Sequence, residues 1–314
     1  MKKCRRVLLL CMLYCLILSG FSLQARPQSD ASPLRVGIMP DADSFPFMLA
    51  RDEGLFDREG AKVDLVFFSN PQERDAALQA GRLDGAISDL LAAAFFAAGG
   101  FDFRIASTTD GRYGIVGAPK SGITNLTELR GKRIGLSTNT IIQYTVDAKM
   151  MAAGIPMTDY EAVAVPRMPL RLEMVLEGQI EAASLPEPLL TAAMAQGAVL
   201  LSTTDESGID AGVLLFSKKA LDTRLGEVQA FYRAYHQAAQ KINANPDAFR
   251  DYLVEKAGFP AAVKDAYRFV SYRTPCLPDR SQIMQALEWL KARKLLDTEL
   301  RPEDLTDPRA VSEW

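Results

Sequence analysis

The chain has 314 residues, of which 48% are hydrophobic and 24% are charged. These are ordinary values for globular domains, so they argue against a disordered chain and against a membrane protein with many spans. The net charge is −3, and no basic stripe is interleaved with aromatic residues, which argues against nucleic-acid binding.

The first 25 residues have the pattern of a secretory signal peptide. A basic start, MKKCRR, is followed by the apolar run VLLLCMLYCLIL and by the small and polar residues SGFSLQA. This run is short for a membrane span, and its flanks fit cleavage after Ala25, so we expect a periplasmic protein. An uncleaved anchor is the alternative. After cleavage the chain keeps one cysteine, Cys276, and can form no internal disulfide.

From Leu34 onward, short apolar strands alternate with helical stretches, which predicts α/β structure. The first series of strands and helices is LRVGIM, FMLARDEGLF, KVDLVFF, PQERDAALQAG, LDGAIS, LLAAAFFAAGG and FRIAS. The second series is KRIGL, a helix, YEAVAV, RLEMVLEG, IEAASL, LLTAAMAQG and AVLLS. After about Lys219 the pattern is mostly helical.

The second series repeats the first at a nearly constant offset. Gly37 matches Gly135 at an offset of 98, and Gly81 matches Gly178 at an offset of 97. The motif STTD occurs at 107–110 and at 202–205, and an apolar strand follows each copy. The agreement of order and spacing predicts a duplicated lobe. The strands after STTD are natural places for the chain to cross between lobes, near residues 112 and 211.

The chain carries no convincing catalytic or metal-binding motif. His236 is the only histidine, and the helical segment around it, FYRAYHQAAQ, favours a structural role. No Cys/His cluster has zinc spacing, and GIVGAPKSG lacks the Gly-Lys pair of a phosphate loop. We therefore expect no catalytic residue, no metal and no cofactor.

The loops that follow the predicted strands are polar in both series. In open parallel sheets, ligands bind beyond the carboxyl ends of the strands, where helix N-termini present free N–H groups. Each such residue alone could be a helix cap or a turn residue, but the set predicts a ligand-binding cleft. The candidates are Asp41, Asp43, Ser44, Phe45, Asn70 and Asp89 in the first series, and Ser137, Thr138, Asn139, Thr140 and Glu187 in the second.

Several segments resemble the periplasmic solute-binding proteins of ABC importers, in particular the group that serves nitrate, sulfonates, taurine and pyrimidine precursors of thiamine. These segments include ERDAALQAGRLDGAISD, NLTELRGKRIGLS and PLRLEMVLEGQIEAASLPEPL. The resemblance spans Leu34 to about Trp289. It implies a type II periplasmic-binding fold, with two Rossmann-like lobes joined by two crossing strands that close on a ligand. It places lobe one at 34–112 plus 212–314 and lobe two at 113–211.

The resemblance also implies the partners, which are a small-molecule ligand and an ABC permease in the inner membrane. We expect a monomer and no nucleic-acid partner. Two alternatives remain open: an enzyme on the same fold, of the thiamine-pyrimidine synthase or chorismate dehydratase type, and a ligand-sensing module for a membrane receptor. The signal peptide and the single histidine argue against the enzymes.

The sequence is compatible with two kinds of ligand, an anion and a molecule with amine or amide donors. The hydroxyl groups after KRIGL and the helix N-terminus behind them suit an anion such as a sulfonate. The carboxylates of Asp41, Asp43, Asp89 and Glu187 oppose an anion, because burying one beside them is unfavourable. They favour a ligand with amine or amide donors, such as a pyrimidine, on which Phe45 and Tyr113 could stack.

Overall fold

The computed structural model describes residues 32–206 and 209–314, so the predicted signal peptide lies outside the described residues. The elements below belong to one unit, residues 33–314. The strands of the described residues are β1 (Leu34–Ile38), β2 (Val63–Phe67), β3 (Gly85–Asp89), β4 (Phe103–Thr108), β5 (Tyr113–Gly117), β6 (Arg133–Leu136), β7 (Glu161–Ala164), β8 (Ala182–Pro186), β9 (Val199–Thr203) and β10 (Gly212–Ser217). Their α-helices are α1 (Phe45–Asp52), α2 (Leu55–Glu59), α3 (Pro71–Gln79), α4 (Leu90–Ala98), α5 (Ile141–Ala152), α6 (Met168–Leu176), α7 (Leu189–Ala195), α8 (Lys218–Thr223), α9 (Leu225–Ala244), α10 (Arg250–Glu255), α11 (Arg280–Ala292) and α12 (Pro302–Leu305).

Two five-stranded sheets carry the fold. The strand order is β2-β1-β3-β10-β4 in the first sheet and β7-β6-β8-β5-β9 in the second. In each sheet the first three strands of this order are parallel, and the fourth is antiparallel to both of its neighbours. The chain passes from the first sheet to the second after β4 and returns after β9. The predicted α/β fold with two crossing strands is confirmed, and the lobe boundaries at 112 and 211 stay a prediction.

A buried arginine occupies the same place in each half of the repeat. Arg74 on α3 donates from Nη1 to the carbonyl of Ile87 at 3.0 Å, and Arg171 on α6 donates from Nη1 to the carbonyl of Ser184 at 2.7 Å. The offset of 97 that relates the two arginines also relates the two carbonyls. Each guanidinium therefore ties a helix to the end of a neighbouring strand, which supports the duplication predicted from the sequence.

The helix α9 covers the first sheet with one apolar face. Its buried residues at 228, 231, 235, 238 and 242 recur at intervals of three and four, as an amphipathic helix requires. A second apolar cluster contains α4 of the first half, α5 of the second half and α11 near the C-terminus. The C-terminal segment therefore packs against both halves and helps to position them. No helix of the described residues is both long and apolar enough to cross a bilayer.

Candidate ligand-binding site

The loops at the carboxyl ends of the strands meet between the two sheets. The Ala42 N–H donates to the Glu187 carbonyl at 3.2 Å, and the Ile141 N–H donates to Asp89 Oδ2 at 3.2 Å. Ala42 and Asp89 lie at strand ends of the first sheet, whereas Glu187 and Ile141 lie beyond strands of the second. The candidate loops of the two halves therefore face each other.

Two adjacent spaces lie at this meeting place. The inner cavity has a volume of about 30 Å³, and the outer groove has a volume of about 540 Å³. Met168 and Pro186 line both of them. Polar side chains from both halves line the inner cavity, namely Asp41, Arg74, Ser88, Asp89, Tyr113, Ser137 and Thr140.

The Asp43 side chain contacts the segment that crosses between the sheets and does not line the inner cavity or the outer groove. Its carboxylate accepts hydrogen bonds from Thr109 Oγ1 at 2.5 Å and from the Tyr113 hydroxyl at 2.9 Å. A Cβ atom at Gly111 would overlap this carboxylate, so the backbone can pass here only as glycine. Burial raises the pKa of Asp43 to about 6.

Asp89 connects the two halves through its carboxylate. One oxygen caps α4 by accepting from the Ala92 N–H at 2.9 Å, and the other accepts from the Ile141 N–H at the start of α5. Burial raises the pKa of this carboxyl group, and the neighbouring Arg74 opposes that effect. Both oxygens are therefore engaged with backbone donors.

Glu187 is fully buried and is neutralised by an arginine. Its carboxylate accepts from Arg112 Nη1 at 2.6 Å and from the Thr191 hydroxyl and N–H at 3.0 and 3.1 Å. Arg112 also pairs with Asp205 at 2.7 Å. Burial raises the pKa of Glu187, and these donors oppose the effect. The side chain thus stabilises the chain segment between β8 and α7.

Asp41 differs from these three carboxylates. It is 4% exposed and receives its hydrogen bonds among the described residues from Ser44, whose N–H lies 3.0 Å from Oδ1. Burial, followed by the nearby Asp43, raises its pKa well above the ordinary value. The hydroxyl of Ser88 in the same cavity wall is 5% exposed and has no hydrogen-bond partner in the described part of the chain.

The polar run Ser137 to Thr140 makes local contacts. Ser137 accepts a hydrogen bond from the guanidinium of Arg171. Thr140 caps α5 by accepting from the Ile142 N–H at 3.2 Å, and its hydroxyl donates to the Ser137 carbonyl at 3.0 Å. Asn139 is exposed with φ +57°, and Thr138 is half-buried. Local structure therefore uses much of the hydrogen-bonding capacity that the sequence shows here.

Phe45 has a packing role in this structure. Its ring is fully buried, and the rings of Tyr252, Phe259, Phe269 and Phe249 lie 5.6 to 6.4 Å from it between centroids. These neighbours come from the C-terminal segment, whose placement the sequence pattern did not reveal. The expectation that Phe45 stacks on a ligand is therefore not supported, because its ring is enclosed by protein.

Ser44 and Asn70 make local hydrogen bonds. The Ser44 hydroxyl accepts from the Met39 N–H at 3.3 Å and is fully buried. Asn70 caps α3 by accepting from the Glu73 N–H at 3.0 Å. Asn70 does not line the inner cavity or the outer groove.

Sequence reasoning missed the outer groove. Its wall contains Phe67, the last residue of β2, and Phe68 next to it, together with Leu172 on α6 and Pro260 from the C-terminal segment. Phe67 and Phe68 end the run KVDLVFF, which the sequence pattern assigns to a strand, so a search of the loops after each strand passes over them. No local pattern would have placed Pro260 here, because this contact depends on the path of the C-terminal segment.

No group of three His, Cys, Asp or Glu side chains among the described residues is arranged to hold a metal ion. His236 lies on α9 with its ring 4.4 Å from that of Trp314, and it does not line the inner cavity or the outer groove. Burial lowers the pKa of His236, which favours its neutral form.

Comparison with known proteins identifies the family. A family model described as NMT1/THI5 like matches residues 41–249. A putative ABC transporter periplasmic binding protein of Brachyspira hyodysenteriae is 22% identical over 236 residues, which cover 69% of this chain and 67% of the relative. The ligand-binding component of an ABC-type import system from Staphylococcus aureus, solved with zinc bound, has a TM-score of 0.78 at 18% identity, over 90% of this chain and 99% of that chain. The alkanesulfonate-binding protein SsuA from Xanthomonas axonopodis pv. citri, solved with MOPS, has a TM-score of 0.75 at 20% identity, over 88% and 100%.

The two sheets and their crossing strands define a periplasmic-binding-protein fold, which confirms the fold expected from the sequence resemblance. The chain belongs to the NMT1/THI5-like family.

Proposed function

We propose that this protein is the substrate-binding component of an ABC importer. It captures a small organic solute between its two halves and delivers it to a membrane permease. The observation that carries the proposal is the inner cavity, which polar side chains from both sheets line at the carboxyl ends of the strands. The periplasmic binding protein of Brachyspira hyodysenteriae and the import-system component of Staphylococcus aureus support it by analogy.

Ligand capture would follow from contacts that both halves make at once. Loops of the first sheet, including Asp41, and of the second sheet, including Thr140, border the same cavity. A solute there gains its full set of contacts only when the halves are together, so it shifts the protein toward the closed form. The permease then recognises the closed complex.

The protein acts outside the cytoplasm, as its periplasmic relatives do. Cleavage of the signal after Ala25 and a monomeric state are part of the proposal. We further propose that the protein is not an enzyme. His236 does not line the inner cavity or the outer groove. Asp43, Asp89 and Glu187 accept hydrogen bonds from groups that stabilise the fold, which favours a structural role over acid–base catalysis.

Native mass spectrometry of the full chain, purified from the periplasm of its own cell, tests this function. We expect a co-purified small molecule that is recovered chemically unchanged. Adding the molecule at a hundred times its Kd should raise the free energy of unfolding by about 2.7 kcal/mol. Recovery of a converted product would instead support an enzyme.

A pair of variants locates the binding site. Ser88→Leu should abolish the co-purified mass, because the larger side chain fills the inner cavity. Ser281→Leu, on the exposed surface of α11, is the matched control and should retain it. Retention by both variants would place the ligand elsewhere, and absence of any bound solute in the wild type would contradict the proposed function.

A further inference from the structure

Resting on the proposed function, we propose that the solute is an organic cation. Its amino group is held by Asp41 and Ser88 in the inner cavity, and its apolar body lies in the outer groove between the two halves. The proposal commits to the second of the two ligand chemistries that the sequence leaves open, and it adds an apolar part that the sequence does not indicate.

The inner cavity is lined by a carboxylate, Asp41, whose hydrogen-bond donors among the described residues come from fewer residues than those of the other three carboxylates. Asp43, Asp89 and Glu187 each accept hydrogen bonds at both carboxylate oxygens. Asp41 receives its hydrogen bonds among the described residues from Ser44, whose N–H donates to Oδ1 at 3.0 Å. An ammonium group in the cavity would supply a further, charged donor to Asp41 and compensate its buried charge.

Ser88 provides an independent sign of a ligand. Its side chain is 5% exposed, lines the inner cavity, and has no hydrogen-bond partner among the described residues. A buried hydroxyl without a partner costs free energy, so native proteins rarely leave one unsatisfied. A donor group of the ligand that reaches both Ser88 and Asp41 would satisfy it.

The nearby arginines make most of their contacts with the protein itself. Arg74 donates to the Ile87 carbonyl and pairs with Asp75 at 2.8 Å. Arg171 donates to the carbonyls of Val165 and Ser184 at 2.9 and 2.7 Å. These contacts hold both guanidinium groups at strand ends, although Nη2 of Arg74 is buried without a hydrogen-bond partner among the described residues. The charge of Arg74 already acts on the carboxylates of Asp41, Asp75 and Asp89. One cation beside three carboxylates leaves the local charge negative, which disfavours an anionic ligand.

The outer groove indicates the chemistry of the rest of the ligand. It continues from the inner cavity past Met168 and Pro186, and its wall is mainly apolar. Phe67 in this wall is 47% exposed, which is unusual for a large aromatic residue beside a cavity. Covering this surface with an apolar ligand is favourable by about 25 cal/mol per Å². A volume of about 540 Å³ accommodates a body of several carbon atoms.

A matched set of probes tests the charge. Purified full-length protein is titrated calorimetrically with n-hexylammonium, 1-hexanol and 1-hexanesulfonate. We expect n-hexylammonium to bind at least tenfold more tightly than the other two. Asp41→Asn should remove this preference while changing the affinity for 1-hexanol by less than twofold. Ser88→Ala should also lower the affinity for n-hexylammonium. The control Asp64→Asn, in an exposed pair with Arg35, should change nothing.

A second comparison tests the apolar body. We expect methylammonium to bind more weakly than n-hexylammonium, and Phe67→Ala to reduce that difference. Phe101→Ala, at another exposed aromatic residue, is the control and should preserve it. Equal affinity for the two chain lengths would overturn the assignment of the groove.

The outcomes separate this inference from the proposed function. Tighter binding of the sulfonate or the alcohol, or an unchanged preference in Asp41→Asn, overturns the cation and leaves a solute-binding protein. The same follows if the solute recovered by mass spectrometry carries no cationic group. Failure of every probe to bind overturns the inference, and absence of a co-purified solute as well contradicts the proposed function.

Discussion

At the scale of single residues, the buried carboxylates do two kinds of work. Asp43, Asp89 and Glu187 receive donors from the protein itself and stabilise the crossing segments and the strand ends. Asp41 receives its hydrogen bonds among the described residues from Ser44 and lies in the cavity wall. Buried carboxylates in the loops between the sheets therefore have structural roles in three places and a proposed binding role in the fourth.

Asp43→Asn should change how stability depends on pH. Burial raises the pKa of Asp43 from 3.8 to about 6, so between these values the folded state holds more protons than the unfolded state. The wild-type free energy of unfolding therefore falls as pH rises through this range, by up to about 3 kcal/mol relative to Asp43→Asn. Urea unfolding of both proteins between about pH 4 and pH 7 measures this difference. A difference that stays constant over that range would contradict the raised pKa.

Asn139 should tolerate glycine better than alanine. Its φ of +57° lies in the left-handed region, which asparagine and glycine adopt more readily than alanine. Asn139→Ala should lower the free energy of unfolding by about 1 kcal/mol relative to Asn139→Gly. Thermal unfolding of the two variants without ligand provides the measurement. Equal stability would show that the backbone relaxes at this position.

At the scale of elements, α5 is fixed to the C-terminal helix α11 by one carboxylate. Asp147 on α5 is fully buried and accepts from Trp289 Nε1 at 2.9 Å, from Arg293 Nη1 at 2.7 Å, and from the Tyr160 hydroxyl. Trp289 also packs edge-on against Tyr144 of α5, with the ring centroids 5.8 Å apart. This contact positions the helix whose N-terminus borders the inner cavity.

Asp147→Ala should therefore destabilise the protein strongly. Its removal leaves a buried tryptophan N–H, a tyrosine hydroxyl and an arginine without their acceptor, which costs about 3 kcal/mol. Denaturant unfolding followed by circular dichroism checks the value. Asp64→Ala on the surface is the control, with an expected change within about 0.5 kcal/mol. A similarly small change for Asp147→Ala would mean that the buried cluster contributes little.

The regular elements and their duplication could be predicted from the sequence, because apolar periodicity and glycine positions are local signals. Gly37 and Gly135 illustrate this, since a Cβ at either would overlap Leu83 or Ile180 at equivalent places in the two sheets. The division of labour among the polar loop residues could not be predicted. Whether Thr140 caps a helix, and whether Asp41 lines a cavity, depends on contacts set by the tertiary fold.

The contacts of the C-terminal segment were harder to predict. Its helices were expected from their periodicity, but the enclosure of Phe45 by Phe249, Phe259 and Phe269 was not. These contacts join residues more than two hundred positions apart, and no short pattern records them. The apolar groove was missed for the same reason, because Phe67 and Pro260 become neighbours of one space only in the folded chain.

At the scale of the whole molecule, the hydrogen bond between Asp89 and the Ile141 N–H connects the two halves. In Asp89→Asn, the remaining side-chain oxygen can still cap α4. The amide NH₂ then faces the Ile141 N–H, which loses its acceptor. We expect the ligand affinity to fall about tenfold, because a charged acceptor is lost in the closed form. Calorimetry with the recovered solute measures the affinity, and small-angle scattering measures the compactness of the liganded protein.

Asp64→Asn makes the same chemical exchange on the surface and should leave affinity and compactness unchanged. A stability loss in Asp89→Asn without any change in affinity would assign the residue to helix capping alone. An unchanged affinity together with unchanged stability would show that this contact between the halves is dispensable.

The position of β10 has a consequence for the order in which the protein folds. β4 joins the first sheet through β10, which follows every strand of the second sheet in the chain. The second sheet takes all of its strands from the continuous stretch 113–203. A chain that emerges N-terminus first can therefore complete the second sheet first. The first sheet stays incomplete until residues 212–217 are available to pair with β3 and β4. The part synthesised first finishes folding last, and until then its open strand edges are the surface most exposed to misassembly.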